Sequence, residues 1–312
     1  TGWVIPWIKR RKNSMSKSVV GMIGLGIMGS AMSANLLKDG FTVVGYDVLD
    51  DCVQAHVKRG GVGAASIKEL AEAAEFIFTS LPSVAAFDAV TQGDDGLLAA
   101  TGASPVIIEV STLAIDVKQR GHDALKDSGI VMLDCPLSGS GAQARTKDLV
   151  VLASGDYPSY ERAVPVFEGM SRSSHHVGEF GNGSKMKFVA NLLVAIHNVS
   201  AAEALVLGMK AGLEPEDIFK VISDGAGNSR IFEIRGPMMV AGGYDDVTMK
   251  NSVWQKDMQI IADFAQSMDC PTPLFSSTVP LYQAAMEQGR GAQDTASICA
   301  VLEDMAGLPE RT

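Results

Sequence analysis

Disulfide and thiolate-metal chemistry has little to work with in this chain. Its four cysteines, Cys52, Cys135, Cys270 and Cys299, are scattered over 312 residues with no paired spacing, so neither a disulfide framework nor a metal site can be read from them. Isolated thiols of this kind suit reduced, buried side chains in a cytoplasmic protein. Cations are also in short supply. Lys and Arg total 26 against 36 Asp and Glu, and the formal net charge of −10 argues against nucleic acid or an anionic membrane surface as a partner. By count of consecutive apolar residues, no run approaches the ~20 that a membrane span requires. Internal repeats and low-complexity tracts are missing too. What remains is ordinary globular material, 46% apolar, in a chain longer than one comfortable core, which points to two domains. An anionic ligand would need a local cationic pocket.

The first fourteen residues, Thr1 to Ser14, hold two of the three tryptophans and a basic cluster, and read as an extension outside the fold. A transit peptide is the rival reading, because the segment is basic and lacks acids. From Met15 onward the pattern alternates. Apolar runs at Val19–Ile23, Thr42–Tyr46, Val62, Phe76–Ser80, Val106–Val110 and Ile130–Leu133 are separated by helical stretches, which predicts βαβ units and a parallel sheet. Further strands are expected at Leu149–Ala153 and His175–Val177. Beyond Gly212 the pattern is helical throughout, with breaks at Glu214-Pro215 and Asp269-Cys270-Pro271.

The first apolar run leads directly into Gly24-Leu25-Gly26-Ile27-Met28-Gly29 and then a helix. In that context Gly24 permits a tight turn, Gly26 lets a pyrophosphate approach the backbone, and Gly29 lets helix and strand pack closely. The second run ends in Asp47, where an acid can accept from both ribose hydroxyls of NAD and repel a 2′-phosphate. No arginine follows it in Val48-Leu49, so NAD is favoured over NADP. Asp47 could also serve as a helix N-cap. Leu81-Pro82-Ser83 and Ser111-Thr112 follow strands and can line a cofactor, although each is also an ordinary strand-to-helix turn.

The run Asp134 to Gly141, DCPLSGSG, exposes backbone N–H groups at Gly139 and Gly141 beside the Ser138 hydroxyl, a cradle suited to a carboxylate. It could equally be a plain glycine-rich loop. From Gly181 to Gly212 about thirty residues without proline predict one helix of roughly 45 Å joining two domains, with Met186, Val189, Leu193, Ile196 and Val199 as its apolar positions. Lys187 and Asn191, four apart, project from one face near its start and can reach one small ligand together. A lone lysine is ordinarily a solvated group, and so is the Lys256-Asp257 pair.

Four of these motifs fall in a recognisable order. The glycine turn, Asp134–Gly139, Gly183-Ser184-Lys185-Met186-Lys187 with Asn191, and Lys256-Asp257 together resemble the β-hydroxyacid dehydrogenase family, over nearly the whole chain from Val19 to Met305. The resemblance implies a Rossmann-type doubly wound parallel sheet over residues 15–179 and an all-α C-terminal domain over 180–312, joined by a long interdomain helix. It also implies hydride transfer between NAD and a small anionic 3-hydroxy acid, in a homodimer or homotetramer. Lys187 would be the general acid/base, Asn191 its partner in holding substrate, and Ser138 with Gly139 the carboxylate site. Leu81, Pro82, Thr112 and Lys256 would touch the cofactor. Ser140 stands where the family commonly has a second glycine, and Ala190 where an asparagine often precedes Asn191. Ser140 should narrow or polarise the pocket and admit a more hydroxylated acid such as threonate, or a tartronate-semialdehyde or glyoxylate type of substrate. A non-catalytic NAD-responsive scaffold is the alternative from another class.

Overall fold

The computed structural model describes residues 17–100 and 104–309, so the extension read at residues 1–14 lies outside it. The first half is built on six parallel strands, β1 (Val19–Ile23), β2 (Thr42–Tyr46), β3 (Val62–Gly63), β4 (Phe76–Thr79), β5 (Val106–Glu109) and β6 (Val131–Asp134), in the order β3-β2-β1-β4-β5-β6. Helices α1 (Ile27–Lys38), α2 (Asp50–Lys58), α3 (Ile67–Ala73), α4 (Val84–Gln92) and α5 (Ile115–Asp127) make the crossovers. Such strands are apolar on both faces because both are covered. Val20, Met22, Phe76, Phe78 and Ile108 pack one side, and Ile23, Ile77 and Ile107 the other. The strand order reverses between β1 and β4, which leaves a crevice beyond their carboxyl ends.

Past β6 the structure departs from a simple continuation of that sheet. Strand β7 (Leu137–Ser138), helix α6 (Gly141–Arg145), β8 (Val150–Ala153), α7 (Tyr157–Met170) and β9 (Ser173–His176) form a separate three-stranded sheet in which β7 and β8 run antiparallel. Reciprocal backbone hydrogen bonds between Asp134 and Ser154 hold this unit against β6. The glycine-rich run therefore starts at the end of β6 and passes through an edge strand before α6.

Helix α8 (Asn182–Lys210) is followed by α9 (Pro215–Ser223), α10 (Arg230–Ala241), α11 (Asn251–Ser267), α12 (Pro273–Glu287) and α13 (Ile298–Ala306), which share one core around Trp254, Tyr282 and Phe275. The apolar stripe expected on α8 is only partly right. Met186, Val189 and Leu193 are exposed, while Ser184, Lys187, Asn191 and Asn198 lie on the buried face with Ala195, Ala202 and Leu205. The expectation that nothing could span a membrane also needs correcting. By length and composition alone α8 would qualify, with a mean hydropathy of 1.7 over its most apolar window. Polar residues interrupt its apolar runs, so a count of consecutive residues misses it; in the fold four of them, Ser184, Lys187, Asn191 and Asn198, are buried. The cysteines differ from expectation as well, since Cys270 is exposed and Cys52 half-buried.

Candidate active site

The turn between β1 and α1 is dictated by its glycines. Gly24 has φ +89°, and a Cβ there would sit 2.2 Å from the Ser80 carbonyl oxygen. A Cβ on Gly29 would come 1.9 Å from the Gly24 carbonyl oxygen, so helix and turn can touch only without one. Gly26 is different: a Cβ added to it meets nothing within 4 Å, and the residue is exposed to the crevice. No side chain caps the start of α1 and no acid lies in its first turn, so its free N–H groups are available to an anion. Exposed Ile27, Val48 and Leu49 offer apolar surface beside it, with Leu25 buried and Met28 half-buried beneath. These features fit a dinucleotide: backbone donors for a pyrophosphate, a cleared approach at Gly26, and Asp47 at the end of β2. Asp47 is not the N-cap of α2, a position held by Leu49. One of its oxygens accepts from Leu25 N–H at 2.7 Å and the other from Leu49 N–H at 2.9 Å, which leaves lone pairs on both for hydroxyl donors.

The loops after β4 and β5 are tied together. Leu81 N–H donates to Ser111 Oγ at 2.8 Å, Pro82 is exposed beside it, and Ser111 N–H donates to Glu109 Oε1 at 2.6 Å. The carbonyl of Thr112 is not free: it accepts from the Lys256 ammonium at 2.6 Å, a bond that crosses from α11 to the sheet.

At the Asp134–Gly141 run, Ser138 ends β7 and is half-buried, and Gly139 has φ +135°, a conformation suited to glycine. Ser140 is the N-cap of α6 and forms a capping box: its N–H is taken by Gln143 Oε1 at 3.0 Å and its hydroxyl oxygen faces the Gln143 N–H, which leaves the hydroxyl proton to donate. The next residue packs on the glycine turn, for a Cβ on Gly141 would lie 2.6 Å from Ile27. The other end packs on α8, since a Cβ on Gly183 would be 2.6 Å from the Asp134 carbonyl oxygen and 3.1 Å from Pro136. Glycine turn, Ser138–Ser140 loop and α8 thus adjoin one another.

Lys187 stands one turn into α8, 8% exposed. Burial is the main force holding its amine below the usual lysine range; Asp257 opposes this, and the charges of Lys256 and Lys118 add to it. Asn191, one turn on, donates its amide to Asp257 Oδ2 at 3.1 Å. That bond consumes one of two amide N–H groups and leaves the other, with the carbonyl, for a ligand. Asp257 is itself buried, which pushes its carboxyl up, and its ion-pair partner is Lys256 at 3.6 Å. Among the described residues no His/Cys/Asp/Glu cluster suits a metal.

Residues 19–178 match the model described as the NAD binding domain of 6-phosphogluconate dehydrogenase, and residues 181–302 the one described as NAD-binding of NADP-dependent 3-hydroxyisobutyrate dehydrogenase. The chain is 33% identical over 266 residues, 82% of its length and 88% of the relative's, to the 3-hydroxyisobutyrate dehydrogenase of Pseudomonas aeruginosa. It belongs to the β-hydroxyacid dehydrogenase family. Another member, the 2-(hydroxymethyl)glutarate dehydrogenase of Eubacterium barkeri, is 30% identical over 94% of this chain and 98% of its own. The crystal structure of 3-hydroxyisobutyrate dehydrogenase from Salmonella typhimurium superposes with a TM-score of 0.82 at 28% identity, covering 91% of this chain and all of that one. As a β-hydroxyacid dehydrogenase the chain is an NAD(P)-dependent oxidoreductase acting on CH–OH groups. Sequence reasoning gave Asp257 and Ser184 no role beyond their places in the Lys256-Asp257 and Gly183–Lys187 motifs, and it overlooked Lys118. The only signal for Asp257 was an acid at helical spacing among the apolar positions of α11, a signal shared with any solvated pair.

Proposed function

We propose that this β-hydroxyacid dehydrogenase transfers hydride between NAD and a small 3-hydroxy acid, with Lys187 as general acid/base. The observation that carries the reading is an amine buried on α8 with its affinity for protons lowered, one turn from Asn191, on a helix whose start packs against Asp134 and Pro136 of the glycine-rich run. When bound, the nicotinamide supplies the hydride acceptor or donor at its C4. Gly24 to Gly29 would hold the pyrophosphate and Asp47 the ribose hydroxyls, and that acid supports NAD over NADP. Leu81, Pro82 and Thr112 would line the nicotinamide side, with Lys256 closing over Thr112. In oxidation the unprotonated Lys187 amine takes the hydroxyl proton as hydride leaves the carbinol carbon; in reduction the ammonium returns it. Burial brings its pKa toward working pH, which a solvated lysine near 10.4 could not achieve. Asn191 orients the reacting oxygen, and Asp257 fixes the rotamer of Asn191.

Ser138, Gly139 and the Ser140 hydroxyl proton would bind the carboxylate, setting a distance from anchor to reacting carbon that suits a β-hydroxyl. The acids named for the two relatives, 3-hydroxyisobutyrate and 2-(hydroxymethyl)glutarate, share that arrangement. Ser140 adds a donor that favours a further hydroxyl on the substrate. Exposed Met186, Val189 and Leu193 on α8 support association into a homodimer or homotetramer, which light scattering would measure.

The test is nicotinamide absorbance with NAD and with NADP against 3-hydroxyisobutyrate, 2-(hydroxymethyl)glutarate, L-serine, L-threonate and D-glycerate. We expect turnover with NAD, and a Lys187→Ala protein that keeps cofactor affinity while losing turnover by on the order of 10²–10⁴-fold. Silence across the panel despite tight NAD binding would sink the reading.

A further inference from the structure

Beneath the site lies a charged group that the mechanism above does not use. Lys118, on α5, is wholly enclosed, as are Glu109 at the end of β5 and Asp134 at the end of β6. Its ammonium donates to Asp134 Oδ1 at 2.8 Å and lies 3.9 Å from Glu109 Oε1. Each carboxylate leads to a different part of the site. Glu109 accepts from Ser111 N–H and from the Thr79 hydroxyl, and Ser111 Oγ accepts from Leu81 N–H, so this arm fixes the loops after β4 and β5. Asp134 accepts the N–H of Ser184 at 2.7 Å and its hydroxyl at 2.8 Å, the latter on the oxygen that Lys118 also holds. Ser154 completes the joint by accepting from Gly183 N–H at 2.9 Å. Ser184 is three residues before Lys187 and on the same helical face.

We propose that Lys118 is a positioning residue for Lys187: through Asp134 and Ser184 it pins the first turn of α8, and through Glu109 it references that turn to the cofactor loops. A buried ion pair of this kind is a poor source of stability, because desolvation of both partners offsets their attraction; its role here is to hold the Asp134 carboxylate that receives Ser184. The charged groups around the Lys187 amine are Asp257 and Lys256 from α11 and Lys118 from α5, so Lys118 acts on it by charge as well as by placement. The inference rests on the reading of Lys187 as the acid/base.

The experiment measures Lys187 directly on the protein without cofactor. Arylation by fluorodinitrobenzene requires the free amine, and mass spectrometry of the Lys187 peptide across a pH series gives its titration midpoint. In Lys118→Met the midpoint should rise toward that of a solvated lysine, and Lys118→Arg should return it to the wild-type value. In Ser184→Ala, where the Lys118–Asp134 pair is left in place, the midpoint should also rise and amide exchange at residues 183–187 should accelerate. Should Lys118→Met fail to fold, the Ser184→Ala result decides alone. A wild-type midpoint in Lys118→Met together with a lowered Tm would reduce Lys118 to a structural role and overturn the proposal, as would a Lys118→Arg protein shifted as far as Lys118→Met. Retained turnover in Lys187→Ala would instead remove the acid/base reading, leaving these midpoints as measured.

Discussion

The ammonium of Lys256 and the backbone carbonyl of Thr112, 144 residues apart in the chain, meet at 2.6 Å and join the helical half to the loop after β5. Because the same ammonium stands 3.6 Å from Asp257, it couples cofactor loop and acid/base pair. Replacing it with Met should weaken NAD binding by on the order of tenfold, the scale of one charge-assisted hydrogen bond, as read by fluorescence titration. Unchanged affinity would mean that Thr112 keeps its position without it.

Asp257→Asn isolates the electrostatic side of that coupling. The carboxylate favours the charged form of Lys187, so removing it should lower the amine's pKa further. The acid limb of kcat/KM for oxidation, which reports the unprotonated amine, should then move to lower pH by about one unit or less. Lys256→Met removes a neighbouring cation and should move the same limb to higher pH. Two shifts in the same direction would contradict the assignment.

Two glycines of the turn should fail in different ways. Gly29→Ala forces a Cβ onto the Gly24 carbonyl, so the loss should show as a Tm lowered by several degrees without any ligand. Among the described residues the methyl group of Gly26→Ala meets nothing within 4 Å, so that variant should fold with a normal Tm. Its cofactor Kd should nevertheless rise by on the order of tenfold or more, because the methyl group occupies the approach that a pyrophosphate needs.

Lys187 should be a liability for stability. Its folded pKa is depressed, so below that value the folded protein carries a buried charge that the unfolded chain solvates freely. Lys187→Met should therefore stabilise the protein by on the order of 1–2 kcal/mol at neutral pH, a rise of a few degrees in Tm, while lowering turnover as Lys187→Ala does. The gain should be largest at low pH and shrink as pH rises toward ~10.4, where the unfolded lysine also loses its proton. A variant that melts below wild type would show that the amine is stabilised by contacts of its own.

The residues of the chain determined by themselves that β1 ends in a dinucleotide turn, that βαβ units follow, and that a long helix separates them from a helical half. Glycine conformation, strand apolarity and helical spacing are local properties, legible without knowing what packs against what. Lys187 and Asn191 could be placed on one helical face for the same reason. The tertiary structure alone decided which face of α8 is buried, leaving Met186, Val189 and Leu193 outside and four polar side chains inside. It also turned the last predicted strands into a separate sheet, gave Asn191 a partner in Asp257, and placed Lys118 under the start of α8. Desolvation and charge pairing depend on atoms brought from elements far apart in the chain, so no local pattern carries them.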